Sequence, residues 1–230
     1  VYVHKVTIDK KAGTTNVVSD LTPITDKIPD DPLVAKTVQK WVDIQNTVIR
    51  KTVKDPYEVV YFADPPLNGL EKDVRARPTN LGILIAEGML ESSRNQAVAS
   101  FFNSGGIRID DFLSGDVLAI DLFRALPFGG EVWEVEIEGS LLKQVMDAGL
   151  KNKGAGGYLQ SSGIEKKNGQ WEIQGMMVED NISYVVAIND FLLSGYESNL
   201  DFFTADHPGV KKVYKPDADD VNDVRRDIRS

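Results

Sequence analysis

Four loops in this 230-residue chain carry residues suited to holding a small anion with a flat ring. The first is Asn103-Ser104-Gly105-Gly106-Ile107-Arg108. Adjacent glycines let the backbone approach a ligand closely. Arg108 adds a planar, permanently charged fork that matches phosphate oxygens. The second is Leu126-Pro127-Phe128-Gly129-Gly130, and the third is Asn189-Asp190-Phe191-Leu192, which leads into Ser194-Gly195-Tyr196-Glu197-Ser198-Asn199. Two aromatic rings on glycine-framed loops can sandwich a planar base, and such stacking tolerates different bases. The fourth is Val74-Arg75-Ala76-Arg77-Pro78-Thr79-Asn80-Leu81-Gly82, where arginines stand just before a helix start, a natural place for an anion. Taken singly, each loop has a plainer reading as a tight turn, a core phenylalanine or a solvated arginine.

Other chemistries are excluded by residue type. The chain has no cysteine, which removes disulfides, thiolate metal sites and thiol nucleophiles together. Its two histidines, His4 and His207, lie at opposite ends, so a histidine-rich catalytic metal site cannot be assembled. Asp110, Asp111 and Asp116 have no histidine near them and read as turn and capping residues. Asp217-Ala218-Asp219-Asp220 lacks the glycine and terminal glutamate of a calcium loop. The net charge of −9 argues against a nucleic-acid partner. No apolar run is long enough to span a membrane, and no signal peptide opens the sequence.

Stepping along the chain, residues 1–22 read as two strands around a turn at Lys11-Ala12-Gly13. Apolar residues spaced by three and four predict an amphipathic helix over Leu33 to about Val53, after the break at Pro29 and Pro32. Strands are predicted at 57–63, 97–102, 131–137, 158–164, 171–173 and 184–188, with helices at 80–92 and 140–150. Asp116 to Phe123 reads as a short strand and a helix start, Pro65-Pro66 as a loop, and the segment after Tyr214 as frayed. The pattern is α+β, with mixed sheets and packed helices.

Taken in order, these motifs resemble one known domain. Arg75 with Thr79-Asn80-Leu81-Gly82, Asn103-x-Gly105-Gly106-Ile107-Arg108, Gly115-Asp116, Leu126-Pro127-Phe128-Gly129-Gly130, Ser162-Gly163 and Asn189-Asp190-Phe191-Leu192 together resemble the C-terminal domain of the 5'-nucleotidase and UDP-sugar hydrolase family, over about residues 57–205. The resemblance implies a division into residues 1–29 as the remnant of a preceding metallophosphatase domain, 30–56 as a connector or hinge helix, 57–214 as the substrate-binding domain and 215–230 as a tail. On that reading the chain starts inside a larger protein.

The resemblance also implies roles. Phe128 and Phe191 would stack on the two faces of a nucleobase, and Asn103 would contact its edge. Arg75 and Arg108 would hold phosphate oxygens, with Gly105 and Gly106 framing the turn, and Glu197 would meet ribose hydroxyls. The chain departs from the family pattern at Gly195-Tyr196-Glu197-Ser198, where many members have Gly-Gly-Asp-Gly, and also at Pro78 and Ile83. The implied function is the nucleotide-binding and specificity domain of a phosphohydrolase. The alternatives are a stand-alone nucleotide or sugar module, a domain of a UDP-sugar hydrolase or cyclic-nucleotide phosphodiesterase, and a degenerate domain kept for protein contacts. The implied cofactors are two divalent ions of zinc or manganese type, held by the N-terminal domain and not by this chain. The implied location is periplasmic, cell-surface or secreted.

Overall fold

The structure is a computed structural model that describes residues 1–25, 27–51, 53 and 55–230. Asp26, and Thr52 and Lys54 in the expected connector, lie outside the described residues. The chain divides into two compact units, residues 1–54 and residues 55–230.

The first unit holds an antiparallel hairpin, β1 (Tyr2–Asp9) and β2 (Thr14–Leu21), in uninterrupted register from Tyr2↔Leu21 to Asp9↔Thr14. Asp9 closes its turn by accepting from the Lys11 and Ala12 amides. Helix α1 (Pro32–Ile49) starts where the sequence signals it. Asp31 caps the amides of Leu33 and Val34 at 2.9 and 3.1 Å, and Pro32 occupies the first turn, where its missing N–H has no partner to lose. The helix ends at Ile49, short of the expected Val53.

The second unit contains β3 (Val59–Asn68), α2 (Glu71–Val74), α3 (Asn80–Glu91), β4 (Ala99–Asn103), β5 (Phe112–Leu118), α4 (Ala119–Ala125), β6 (Val132–Glu138), α5 (Gly139–Lys151), β7 (Leu159–Ser162), β8 (Ile164–Lys167), β9 (Gln170–Ile173), β10 (Met176–Met177), β11 (Ser183–Asn189) and β12 (Val210–Tyr214). The central sheet has the order β12-β6-β11-β4-β7. Its only parallel pair is β11 with β4. A three-stranded sheet (β10-β9-β8) and the pair β3-β5 complete the unit.

Strand alternation splits the core into two layers. Phe101, Val135, Ile137, Val186 and Ile188 face a cluster with Leu142, Val145 and Phe203. Their neighbours Phe102, Val132 and Ala187 face the opposite cluster, with Leu81, Ala86 and Met89 of α3. A two-sided core explains why β4 and β11 read as near-continuous apolar runs.

Local chemistry fixes α3. Thr79 caps the Gly82 amide at 3.1 Å. The buried Gln160 side chain accepts from the Thr79 amide and donates to the carbonyls of Val74 and Arg77. A Cβ on Gly82 would collide with that Gln160 amide, which accounts for the glycine in the Thr-Asn-Leu-Gly motif.

Three expectations are corrected. Strand β3 runs on through Pro65-Pro66 to Asn68, because a register shift against β5 between Ala63 and Leu67 frees the prolines from ladder bonds they cannot donate. The predicted strand over 158–164 breaks in two at Gly163, where a Cβ would strike the Val98 carbonyl. The segment after Tyr214 is not frayed: Arg225 is 4% exposed and donates to Asp223 and Glu134.

Candidate functional site

Strand directions bring the motif loops to one edge of the central sheet. Because β4 and β11 are parallel, with Phe101 opposite Ile188, both C-terminal ends emerge there, carrying Asn103 and Asn189. Strand β6 runs antiparallel to β11 with Val132 opposite Asn189, so the loop before β6, residues 127–131, arrives at the same edge. Strand β7 runs antiparallel to β4 with Leu159 opposite Asn103, which delivers the turn over 152–158 as well.

The cleft at this edge has a volume of about 570 Å³ and is lined by Asn103, Gly105, Gly106, Arg108, Phe128, Gly129, Gly130, Asn189, Asp190, Phe191 and Glu197. Seven of the eight residues singled out from sequence therefore meet in one place. Phe128 is 70% exposed and Phe191 42% exposed, so neither ring is spent on core packing. The Arg108 guanidinium lies 4.9 Å from the centre of the Phe128 ring. Among the described residues it has no carboxylate within ion-pair distance, so its charge is uncompensated at the cleft.

The polar floor is a hydrogen-bonded chain. Asn103, 6% exposed, donates from Nδ2 to Glu197 Oε2 at 2.7 Å and accepts on Oδ1 from Asn189 Nδ2 at 3.0 Å. Glu197 Oε1 accepts from the Ser198 amide at 2.9 Å. Asn189 Oδ1 is buried with no partner among the described residues, which leaves one acceptor unsatisfied at the cleft. Gly105 donates from its amide to the Gly156 carbonyl at 2.7 Å, and a Cβ on either glycine would come within 3.2 Å of the other's backbone. This contact locks the Asn103–Arg108 turn against the turn over 152–158.

Arg75 does not line the cleft. It caps α2, and its guanidinium pairs with Glu71 one turn earlier at 2.6 Å. Its carbonyl instead accepts from the Gly154 amide at 2.7 Å, and its Nε is buried without a partner among the described residues. Arg77 pairs with Asp73 at 3.2 Å. Asp110 accepts from the Glu71 amide at the start of α2, 39 positions away, and Asp111 from the amide of the next residue, Phe112. Asp217 accepts from the Asp219 amide in an ordinary aspartate turn.

Sequence reading missed the supporting turn. Asn152 is 4% exposed, donates to the carbonyls of Gly157 and Ser198, and accepts from Asn199 at 2.7 Å. It ties the Glu197 segment to the Gly156 turn. The dense run Asn152-Lys153-Gly154-Ala155-Gly156-Gly157 was the available signal. Among the described residues, no group of three histidine, cysteine or acidic side chains is placed to hold a metal ion. Among the described residues, no helix is long and apolar enough to cross a membrane.

Fold and cleft describe an α+β domain whose loops gather at one sheet edge around an open, aromatic and polar pocket. The chain belongs to the 5'-nucleotidase family: residues 59–205 match its family description "5'-nucleotidase, C-terminal domain". It is 30% identical over 171 residues to a trifunctional nucleotide phosphoesterase of Bacillus subtilis, a match covering 65% of this chain and 12% of that one. It is 30% identical over 173 residues to the 5'-nucleotidase of Bos taurus, covering 70% of this chain and 29% of that one. A snake venom 5'-nucleotidase of Macrovipera lebetinus is 31% identical over 152 residues, covering 60% of this chain and 35% of that one. The chain thus spans about a third or less of these relatives. A 5'-nucleotidase precursor from Thermus thermophilus has the same fold, with a TM-score of 0.72 at 21% identity over 99% of this chain and 45% of its own.

Proposed function

We propose that this chain is the nucleotide-binding and specificity domain of a 5'-nucleotidase-type phosphohydrolase. The observation that carries the reading is the cleft itself: two exposed phenylalanines, one uncompensated arginine and the two carboxylates of Asp190 and Glu197 around about 570 Å³. Exposed aromatic rings in a concave site favour a flat apolar ligand, and a few placed polar groups set its orientation. Phe128 and Phe191 take the two faces of the base. The remaining Asn103 amide hydrogen and lone pair, and the Asn189 carbonyl oxygen, address its edge. Glu197 keeps lone pairs for ribose hydroxyls beyond its bonds to Asn103 and Ser198. Arg108 takes the phosphate. Arg75 would reach it only by exchanging Glu71 for the phosphate.

In this reading the chain binds and orients, and supplies no nucleophile. Phosphoryl transfer belongs to metal ions held by another domain, in keeping with a chain that spans only part of the length of its relatives. The protein works outside the cytoplasm, in keeping with the venom relative. Calorimetry of the purified chain with AMP, adenosine and UDP-glucose tests the binding claim, and a phosphate-release assay with added zinc or manganese tests the division of labour. AMP binding without turnover is expected; no binding to any of the three, or metal-dependent turnover, contradicts it.

A further inference from the structure

The loop that carries Phe128 is closed locally by one long hydrogen bond, from the Gly129 amide to the Leu126 carbonyl at 3.2 Å. Gly129 and Gly130 both take positive φ, +63° and +104°, a conformation open to glycine and costly for other residues. Two successive glycines also have the largest backbone freedom to lose when a ligand orders them. Arg108 lies against the ring on the cleft side, and the backbone behind the ring needs other partners.

The C-terminal segment makes the required contacts. The Ile228 amide donates to the Gly130 carbonyl at 2.9 Å. The Arg229 guanidinium lies so close over Gly129 that a Cβ there would stand 2.7 Å from its Nη2. Arg229 is held in turn: Nε and Nη2 donate to the two Asp227 oxygens at 2.8 and 2.6 Å, and its Cζ sits 4.1 Å from the centre of the Phe123 ring. Further back, Arg225 donates to Glu134, which lies on β6 just beyond the loop, and to Asp223 at 2.7 Å. Val224 and Ile228 line an apolar cavity of about 410 Å³ with Leu81, Ile85 and Leu126. The segment is thus anchored by buried charge and by apolar contact, and its last residues press on the back of the Phe128 loop.

We propose that residues 224–230 are a brace for the base-stacking loop, with Arg229 as a positioning residue that acts through Phe128. The proposal rests on the reading that Phe128 stacks on the base. Freezing the loop in advance removes an ordering cost that binding would otherwise bear, so releasing it weakens affinity without removing any ligand contact.

The test is a double-mutant cycle on the 230-residue chain, reading adenosine affinity by calorimetry and loop order by amide hydrogen exchange in the ligand-free protein. Arg229→Ala is expected to lower affinity about 2- to 10-fold, the scale of one ordered side chain or loop element. It is also expected to raise exchange at residues 128–130. In a Phe128→Ala background the same substitution should have no further effect on affinity, because Arg229 acts on the ligand only by holding the loop that presents that ring. Wild-type affinity in Arg229→Ala, or an equal loss in both backgrounds, overturns the proposal. If the wild type binds no adenosine, the binding reading fails, while the exchange data still decide whether the segment orders the loop. Should the alanine variant not melt cooperatively, Arg229→Gln carries the same cycle, since it keeps a planar head over Gly129 and gives up the ion pair.

Discussion

Asn103 donates a 2.7 Å hydrogen bond to Glu197 across 94 positions of sequence, and this bond joins the turn after β4 to the segment after β11. The buried amide depends on it. Removing the carboxylate leaves a buried donor without a partner, which costs about 1–3 kcal/mol. Glu197→Ala is therefore expected to lower the melting temperature. If Glu197 also meets ribose, the same variant loses more affinity for adenosine than for adenine. Equal losses for the two ligands would remove Glu197 from the ribose contact.

The two arginines of the sequence motifs are expected to behave differently. Arg108 faces the cleft without a carboxylate partner among the described residues, whereas Arg75 is paired with Glu71 and lies outside the lining. Arg108→Ala should weaken AMP by about 1.5–3 kcal/mol, the range for a charge-assisted hydrogen bond, and adenosine much less. Arg75→Ala should leave AMP affinity within twofold. Calorimetry with both ligands on both variants checks this, and a comparable AMP loss in Arg75→Ala would bring Arg75 back to the phosphate.

Buried Glu134 is the most exacting ion-pair site. Its carboxylate accepts from Ser93, from the Arg94 and Asn95 amides, from Asn95 Nδ2 and from Arg225. Glu134→Ala removes all of these at once and leaves Arg225 with Asp223 alone. Breaking a buried pair from one side costs about 3–5 kcal/mol. At about 2–4 °C per kcal/mol for a unit of this size, thermal melting should show a drop of about 6 °C or more. A shift under 2 °C would mean that the network contributes little.

Acid should loosen the C-terminal segment first. Burial pushes the Glu134 carboxyl up, but hydrogen bonds from Ser93, Asn95 and Arg94 outweigh it and the net shift is downward. Hydrogen bonding to Arg225 holds Asp223 far below the usual carboxylate range, and Arg229 outweighs burial to lower Asp227. A lowered folded-state pKa means that the unfolded chain binds more protons in acid, so this stability is complete above the unfolded value of about 4 and is lost as pH falls through the folded values. Amide protection at residues 223–230, relative to the intrinsic rate at each pH, should fall below about pH 4, ahead of the central sheet. Simultaneous loss of protection in both would show that the segment is no separate unit.

Much of this was legible in the sequence where the signal is local. The apolar run in β11, the helix start at Asn80 and the phenylalanines beside glycine-containing loops each announce themselves within a few residues. The cleft was legible as a set of motifs, although only strand direction shows why Asn103, Phe128, Phe191 and Glu197 meet. What escaped depends on distant partners. Arg225 reads as part of a solvated charge run until Glu134, 91 positions away, is brought to it. Glu134 itself alternates with the apolar Trp133 and Val135 along its strand; it is buried because Ser93, Arg94, Asn95 and Arg225 supply donors on that face. Arg75 was placed at the site by the order of the motifs, and its own neighbour Glu71 claims it.

The central claim is that this cleft grips a nucleotide through its two phenylalanines, and one titration tests it most directly. Calorimetry of AMP into the wild-type chain, Phe128→Ala and Phe191→Ala should show saturable binding to the first and a loss of about 1–3 kcal/mol in each variant, the worth of one stacked base face. AMP that fails to bind the folded wild-type chain, or that binds all three proteins equally, would contradict it.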